Sequence, residues 1–178
     1  MAGSSRRDLV LESAADWARL LRVDGEDTCD SAEPAAERWH DGDMSHLGLV
    51  TIVVDDYDRA IKHYVQDLGF TLIDNIDQGD KRWVVVAPPG TERERHTTHL
   101  LLAEASTDEQ RARVGDQTGH RVSFFLYTDD FDMDHMAFSQ RGVDFEEAPR
   151  EEPYGRVAVF RDLFGNRWDL IETIKRLD

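Results

Sequence analysis

Residues 50–70 read VTIVVDDYDRAIKHYVQDLGF, and residues 124–143 read FFLYTDDFDMDHMAFSQRGV. Each stretch opens on an apolar run of strand character, turns on an Asp-Asp pair, and continues with apolar residues at helical spacing. In the first, Tyr57, Ala60, Ile61, Tyr64 and Leu68 share one helix face, and Gly69 supplies the permissive backbone that ends a helix. In the second, the helix runs to Gly142 and is one residue shorter. Val54-Asp55-Asp56-Tyr57 is echoed by Thr128-Asp129-Asp130-Phe131. The paired carboxylates read as solvated helix starts, with Asp130 as an N-cap, since acidic groups are favoured at the positive end of a helix.

The same order of elements follows each helix. After Gly69, strands are expected at Phe70–Ile76, Arg82–Ala87 and Thr97–Ala103, separated by Gln78-Gly79-Asp80 and Pro88-Pro89-Gly90. A short connecting helix is expected over Thr107–Val114. After Gly142 the strands are Val143–Glu147, Arg156–Arg161 and Arg167–Thr173, with turns at Glu152-Pro153-Tyr154-Gly155 and Asp162-Leu163-Phe164-Gly165-Asn166. With the leading strands His46–Val54 and Arg121–Tyr127, the chain contains two tandem βαβββ units, the mark of an internal duplication. The fold class is α+β, the two units pairing into one eight-stranded, mixed-sheet half-barrel cleft.

Residues 1–45 differ in kind. Val10, Ala14, Trp17 and Leu21 fall on one face of an amphipathic helix, and Asp24–Asp43 is an acidic linker. The expected organisation is a helical and acidic-linker extension over 1–45 and one domain over 46–178. The chain of 178 residues carries a formal charge of −16, which disfavours nucleic acid and anionic membrane surfaces as partners. No apolar run is long enough to span a bilayer. Cys29 is the sole cysteine, so no disulfide framework or CxxC pair forms within one chain, and a cytoplasmic setting is expected.

These residues resemble the vicinal oxygen chelate superfamily, which includes glyoxalase I, extradiol dioxygenases and bleomycin-resistance proteins. The resemblance covers about His46 to Thr173 and rests on VTIVVDDYDRAIKHYVQDLGF, KRWVVVAPPG and EEPYGRVAVFRDLFGNRWDLIE. It implies concave sheet faces on which metal-using members hold an ion with four ligands. Carried over by position, those ligands fall at Leu49, near His99, at Ser123 and at Asp169. Leu49 cannot coordinate, and His120, three residues before Ser123, faces the other way along a strand. His99 and Asp169 alone hold an ion weakly, so no cofactor is expected. A divalent metal (Zn, Ni, Fe or Mn) bound by His99 and Asp169 is the alternative.

By alternation the same faces carry Thr51 beside Leu49, and Phe125 and Tyr127 beside Ser123, with Trp83 closing one wall. Leu49, Thr51, Trp83, His99, Ser123, Phe125, Tyr127 and Asp169 are therefore the candidate ligand-binding residues, and Asp169 the candidate catalytic one. Burial raises the Asp169 pKa unless a facing arginine, Arg156 being the nearest by sequence, pairs with it and lowers it. The implied function is binding of a small, largely apolar organic molecule, by sequestration or by acid–base chemistry, in a protein expected to be a homodimer. A metal-dependent lyase or isomerase of the glyoxalase type is one alternative. A scaffold that docks a partner through the N-terminal helix is another.

Overall fold

The computed structural model describes residues 45–94 and 96–174. The expected helix through Val10 and Leu21 and the acidic linker lie outside them. From Ser45 onward the chain forms one compact unit.

Strand β1 (Leu49–Val54) leads into helix α1 (Tyr57–Lys62), which widens into a single π-helical turn, His63–Asp67. Strands β2 (Thr71–Asp77), β3 (Arg82–Ala87) and β4 (His99–Glu104) complete the first unit. A one-turn helix α2 (Asp108–Arg111) connects to the second unit: β5 (Val122–Tyr127), α3 (Phe131–Gln140), β6 (Asp144–Phe145), β7 (Arg150–Glu152), β8 (Gly155–Arg161) and β9 (Arg167–Thr173). The strand expected at Val143–Glu147 is only the two-residue β6, and an additional short strand, β7, follows it; both pair with β8.

The duplication is visible in the pairing. The first sheet has the order β1-β4-β3-β2 with β1 parallel to β4, and the second has the order β5-β9-β8-β6 with β5 parallel to β9. Each βαβββ unit thus forms its own mixed sheet, of four strands in the first and five in the second, as the tandem arrangement read from the sequence requires. On the free edge of β1, Val53 N–H donates to Gln117 Oε1 at 2.7 Å, which satisfies one unpaired edge donor.

The Asp-Asp pairs start both helices. Asp56 accepts from Arg59 N at 2.8 Å, and Asp130 accepts from Met133 N at 3.0 Å, which satisfies a first-turn donor that has no partner inside the helix. The one-residue difference between the helices has a structural cause. Phe70 N–H closes on Tyr64 O in the first unit, whereas Val143 N–H closes on Phe138 O in the second. The first closure spans one residue more, and the π-turn, in which Leu68 N–H bonds His63 O, absorbs it.

Both helices and one face of each sheet share a core. Ile52, Val54, Val84, Val86, Leu100 and Leu102 come from the first sheet, and Ala158, Phe160, Trp168 and Leu170 from the second. Tyr64, Leu68, Phe131 and Phe138 fill the space between. Each such large side chain, fully buried, contributes about 1.5–3 kcal/mol. Trp168 is the hub: it stacks on Phe160 at 5.9 Å and meets Tyr64 and Phe70 of the first unit.

The turn before β9 is fixed by one buried carboxylate. Asp162 Oδ1 accepts from the backbone N–H groups of Phe164, Gly165 and Asn166, and Oδ2 accepts from Tyr64 Oη, Asn166 Nδ2 and Trp168 Nε1. A buried charge is tolerable when hydrogen bonds replace its water, and here six do. The start of β9, and therefore Asp169, is positioned by this turn.

Candidate functional site

Residues that alternate with the core face point the other way, and these are the candidate residues. On the first sheet Leu49 stands opposite His99, and Thr51 opposite Leu101, which pairs in turn with Val85. Trp83, half-buried, shares this face by alternation with Val85. On the second sheet Phe125, Asp169 and Val159 form one row, and Tyr127, Ile171, Val157 and Arg150 the next. The candidates thus fall in two groups, one on each sheet.

The second group is the more unusual. Asp169 is only 8% exposed, and Oδ1 has no hydrogen-bond partner. Beside it Phe125 and Tyr127 are 56% and 65% exposed, large rings left in water on an edge strand. Burial holds the Asp169 carboxyl above its ordinary pKa, against the opposing pull of Arg150 and Arg167. Arg156 is engaged elsewhere: it pairs with Asp132 at 2.7 Å and lies over the Phe131 ring. The raised pKa expected from the sequence stands, and the Arg156 salt bridge does not form.

Arg150 and Arg167 are charged neighbours of Asp169 that the sequence pattern did not bring forward. Arg167 was legible, being two residues before Asp169 on the same strand and so on the same face. Arg150 was not, because it sits in the irregular stretch between β6 and β8. Neither arginine is free to neutralise Asp169 fully. Arg150 is held by Glu147 and Glu152, and Arg167 by Glu146 and by the carbonyl oxygen of His120.

The first group is plainer. His99 is half-buried, and its Nε2 also has no hydrogen-bond partner. Thr51 and Phe125 occupy the same place in the echoing stretches, so Leu101 is the first unit's counterpart of Asp169. Ser123 shares a hydrogen bond with the Thr118 hydroxyl at 2.8 Å, beside an irregularity in the β5–β9 pairing. His120 is fully turned to solvent.

This donor set does not fit a catalytic divalent ion. Such a site needs three or more protein ligands. Among the described residues no three His, Cys, Asp or Glu side chains come together. Leu49 has no donor atom, and of the four positions only His99 and Asp169 carry a good ligand.

Phe125 and Tyr127 also form the lip of a cleft of about 600 Å³. Leu68, Pro88 and Pro89 line it from the first unit, and Met133, Ala137 and Phe138 from the second. Its size and mostly apolar walls lie in the range of small-molecule sites.

Comparison with known proteins agrees with this architecture. The sequence model of the Glyoxalase/Bleomycin resistance protein/Dioxygenase superfamily matches residues 46–170. An uncharacterized protein of Shewanella frigidimarina (strain NCIMB 400) is 49% identical over 125 residues, which cover 69% of this chain and 90% of that one. TnmS3, an antibiotic binding protein from Streptomyces sp. CB03234, superposes with a TM-score of 0.59 at 30% identity, covering 74% of this chain and 98% of its own. A superfamily member from Sphaerobacter thermophilus DSM 20745 superposes with a TM-score of 0.57 at 29% identity, covering 72% and 98%.

Proposed function

We propose that this chain, which belongs to the Glyoxalase/Bleomycin resistance protein/Dioxygenase superfamily, binds a small, largely apolar organic molecule on the face built by Phe125, Tyr127, Ile171 and Asp169. The observation that carries the reading is the buried, unpartnered Oδ1 of Asp169 beside two exposed aromatic rings. A buried acceptor left without a donor costs about 1–3 kcal/mol, and a ligand that donates to it recovers that loss on binding. The rings supply apolar contact, and the carboxyl supplies orientation. Such a site sequesters its ligand. With its raised pKa, Asp169 can also hold or release a proton at the bound molecule. The antibiotic-binding neighbour makes antibiotics the first ligand class to test, and the exposed Phe125 and Tyr127 rings favour aromatic ones.

A homodimer belongs to this reading. Leu49, Phe125 and Tyr127 are apolar and exposed in a single chain, and a second copy laid against them would wall the ligand off from water. A cytoplasmic location goes with it.

Native mass spectrometry of the freshly purified full chain, with a thermal-shift panel of aromatic antibiotics, tests the reading. The expected outcome is a dimer, a substoichiometric metal content and at least one compound that raises Tm. A ligand at 100 times its Kd stabilises by about 2.7 kcal/mol, which is readily visible. Asp169→Asn should fold normally and lose that shift. One equivalent of Ni, Zn, Fe or Mn held by His99 and Asp169 would overturn the reading in favour of a metal-dependent lyase or isomerase.

A further inference from the structure

The π-turn of α1 presents two consecutive side chains, His63 and Tyr64, to the Asp162–Asn166 turn of the second unit, and both are buried. Tyr64 donates to Asp162. His63 makes two bonds of a different kind: Nδ1 lies 2.8 Å from Asp67 Oδ2, and Nε2 lies 3.1 Å from the backbone nitrogen of Leu163. A carboxylate can only accept and a backbone N–H can only donate. The arrangement therefore fixes one tautomer, a neutral imidazole with its proton on Nδ1.

We infer that His63 is an acid-sensitive latch between the two units. A second proton on Nε2 would face the Leu163 N–H across 3.1 Å, donor against donor, and the cross-unit bond cannot survive it. The imidazolium therefore requires a state in which the Leu163 turn has moved off the helix. Asp67, on the same helix and partly exposed, compensates the positive charge in that opened state. The other charged groups at this place are accounted for. Asp162 is saturated by its six donors, and the Tyr64 phenol is held far above its usual pKa by burial and by Asp162. Arg161 is paired with Glu146, Arg141 donates to the carbonyl oxygen of Asp67 at 3.3 Å, and Asp144 lines the same cavity of about 420 Å³ as His63.

The second unit shows that the fold does not need this device. At the equivalent positions of α3 stand Ala137 and Phe138, neither of which can titrate. The consequence of opening is directional, because the Leu163 turn leads straight into β9, the strand that carries Asp169. Acid would loosen the base of the candidate site while leaving the sheets paired.

Amide hydrogen exchange of the full chain, corrected for intrinsic rates, tests the latch between pH 8 and pH 5. Protection of the Leu163 amide should fall about tenfold per pH unit once His63 takes up its proton, the slope for linkage to a single proton. In His63→Gln, whose side chain can accept but cannot titrate, that pH dependence should vanish. In Asp67→Asn, the opening should move to lower pH, because the opened imidazolium loses its counter-charge. Asp67→Asn also leaves the Leu163 acceptor in place, so it reports even if the His63 variant fails to fold. A Leu163 amide whose protection stays flat in the wild type, or falls unchanged in either variant, would overturn the proposal.

Discussion

The two helix–turn junctions occupy equivalent places in the duplicated fold and are built in opposite ways. In the first, α1 meets the Asp162–Asn166 turn, and His63, Tyr64 and Trp168 close the contact with hydrogen bonds. In the second, α3 meets the Pro88-Pro89 turn, and Ala137 and Phe138 leave a cleft of about 600 Å³. Duplication supplied two copies of one joint. One carries a buried polar network that fixes the position of β9 beside a cavity of about 420 Å³, and the other has no such network and a larger, mostly apolar cleft beside Phe125 and Tyr127. A polar network is rigid because each partner must be satisfied, whereas an apolar cleft tolerates exchange of its contents. The first junction is therefore built as a support, and the second has the character that the proposed binding role requires.

The contrast can be broken most forcefully at Asp162. Asp162→Ala strands three backbone N–H groups and the donors of Tyr64, Asn166 and Trp168, and should lower unfolding stability by about 4 kcal/mol in urea titrations. Gly115→Ala comes next. Gly115 has a φ of +76°, and a Cβ there would collide with the carbonyl of Phe164 in the same turn. The expected loss is about 2–3 kcal/mol, read from the same titrations. Tyr64→Phe removes one donor from Asp162 and keeps the ring packing, for a loss of about 1–2 kcal/mol.

Smaller effects sharpen the binding side. Asp169 has a folded pKa above its unfolded one, so its contribution to stability is present in acid and is lost as pH rises through the folded value. Asp169→Asn should therefore match the wild type in acid and exceed it at neutral pH, by no more than about 1 kcal/mol. Thermal melts across that range check the sign: a variant less stable at pH 8 than at pH 4, relative to wild type, would mean that the carboxylate is paired. The smallest change is expected from Ala137→Leu, which partly fills the cleft. Its stability should stay within about 0.5 kcal/mol of wild type, while binding of any compound found in the thermal-shift panel weakens if that compound reaches into the cleft.

Much of this was legible before any coordinates. The period-two and helical patterns, the echo of Val54–Tyr57 in Thr128–Phe131, and the missing donor at Leu49 are properties of neighbouring residues, and local patterns fix local structure and facing. That Asp169 faces away from the helix layer followed from its place between Trp168 and Leu170, both of which point into the core. Even the one-residue excess of the first helix was countable, although its meaning was not. That the excess becomes a π-turn, and that the turn aims His63 at Leu163, depends on partners a hundred residues away. The separation of the candidate residues into two groups, the hold of Glu147 and Glu152 on Arg150, and the open cleft at Ala137 are likewise set by how the two units pack. Sequence alone determined which faces exist and what they carry, because side-chain direction alternates with the backbone. Tertiary structure decided which faces meet, because that rests on long-range burial and on hydrogen bonds between residues with no local relation.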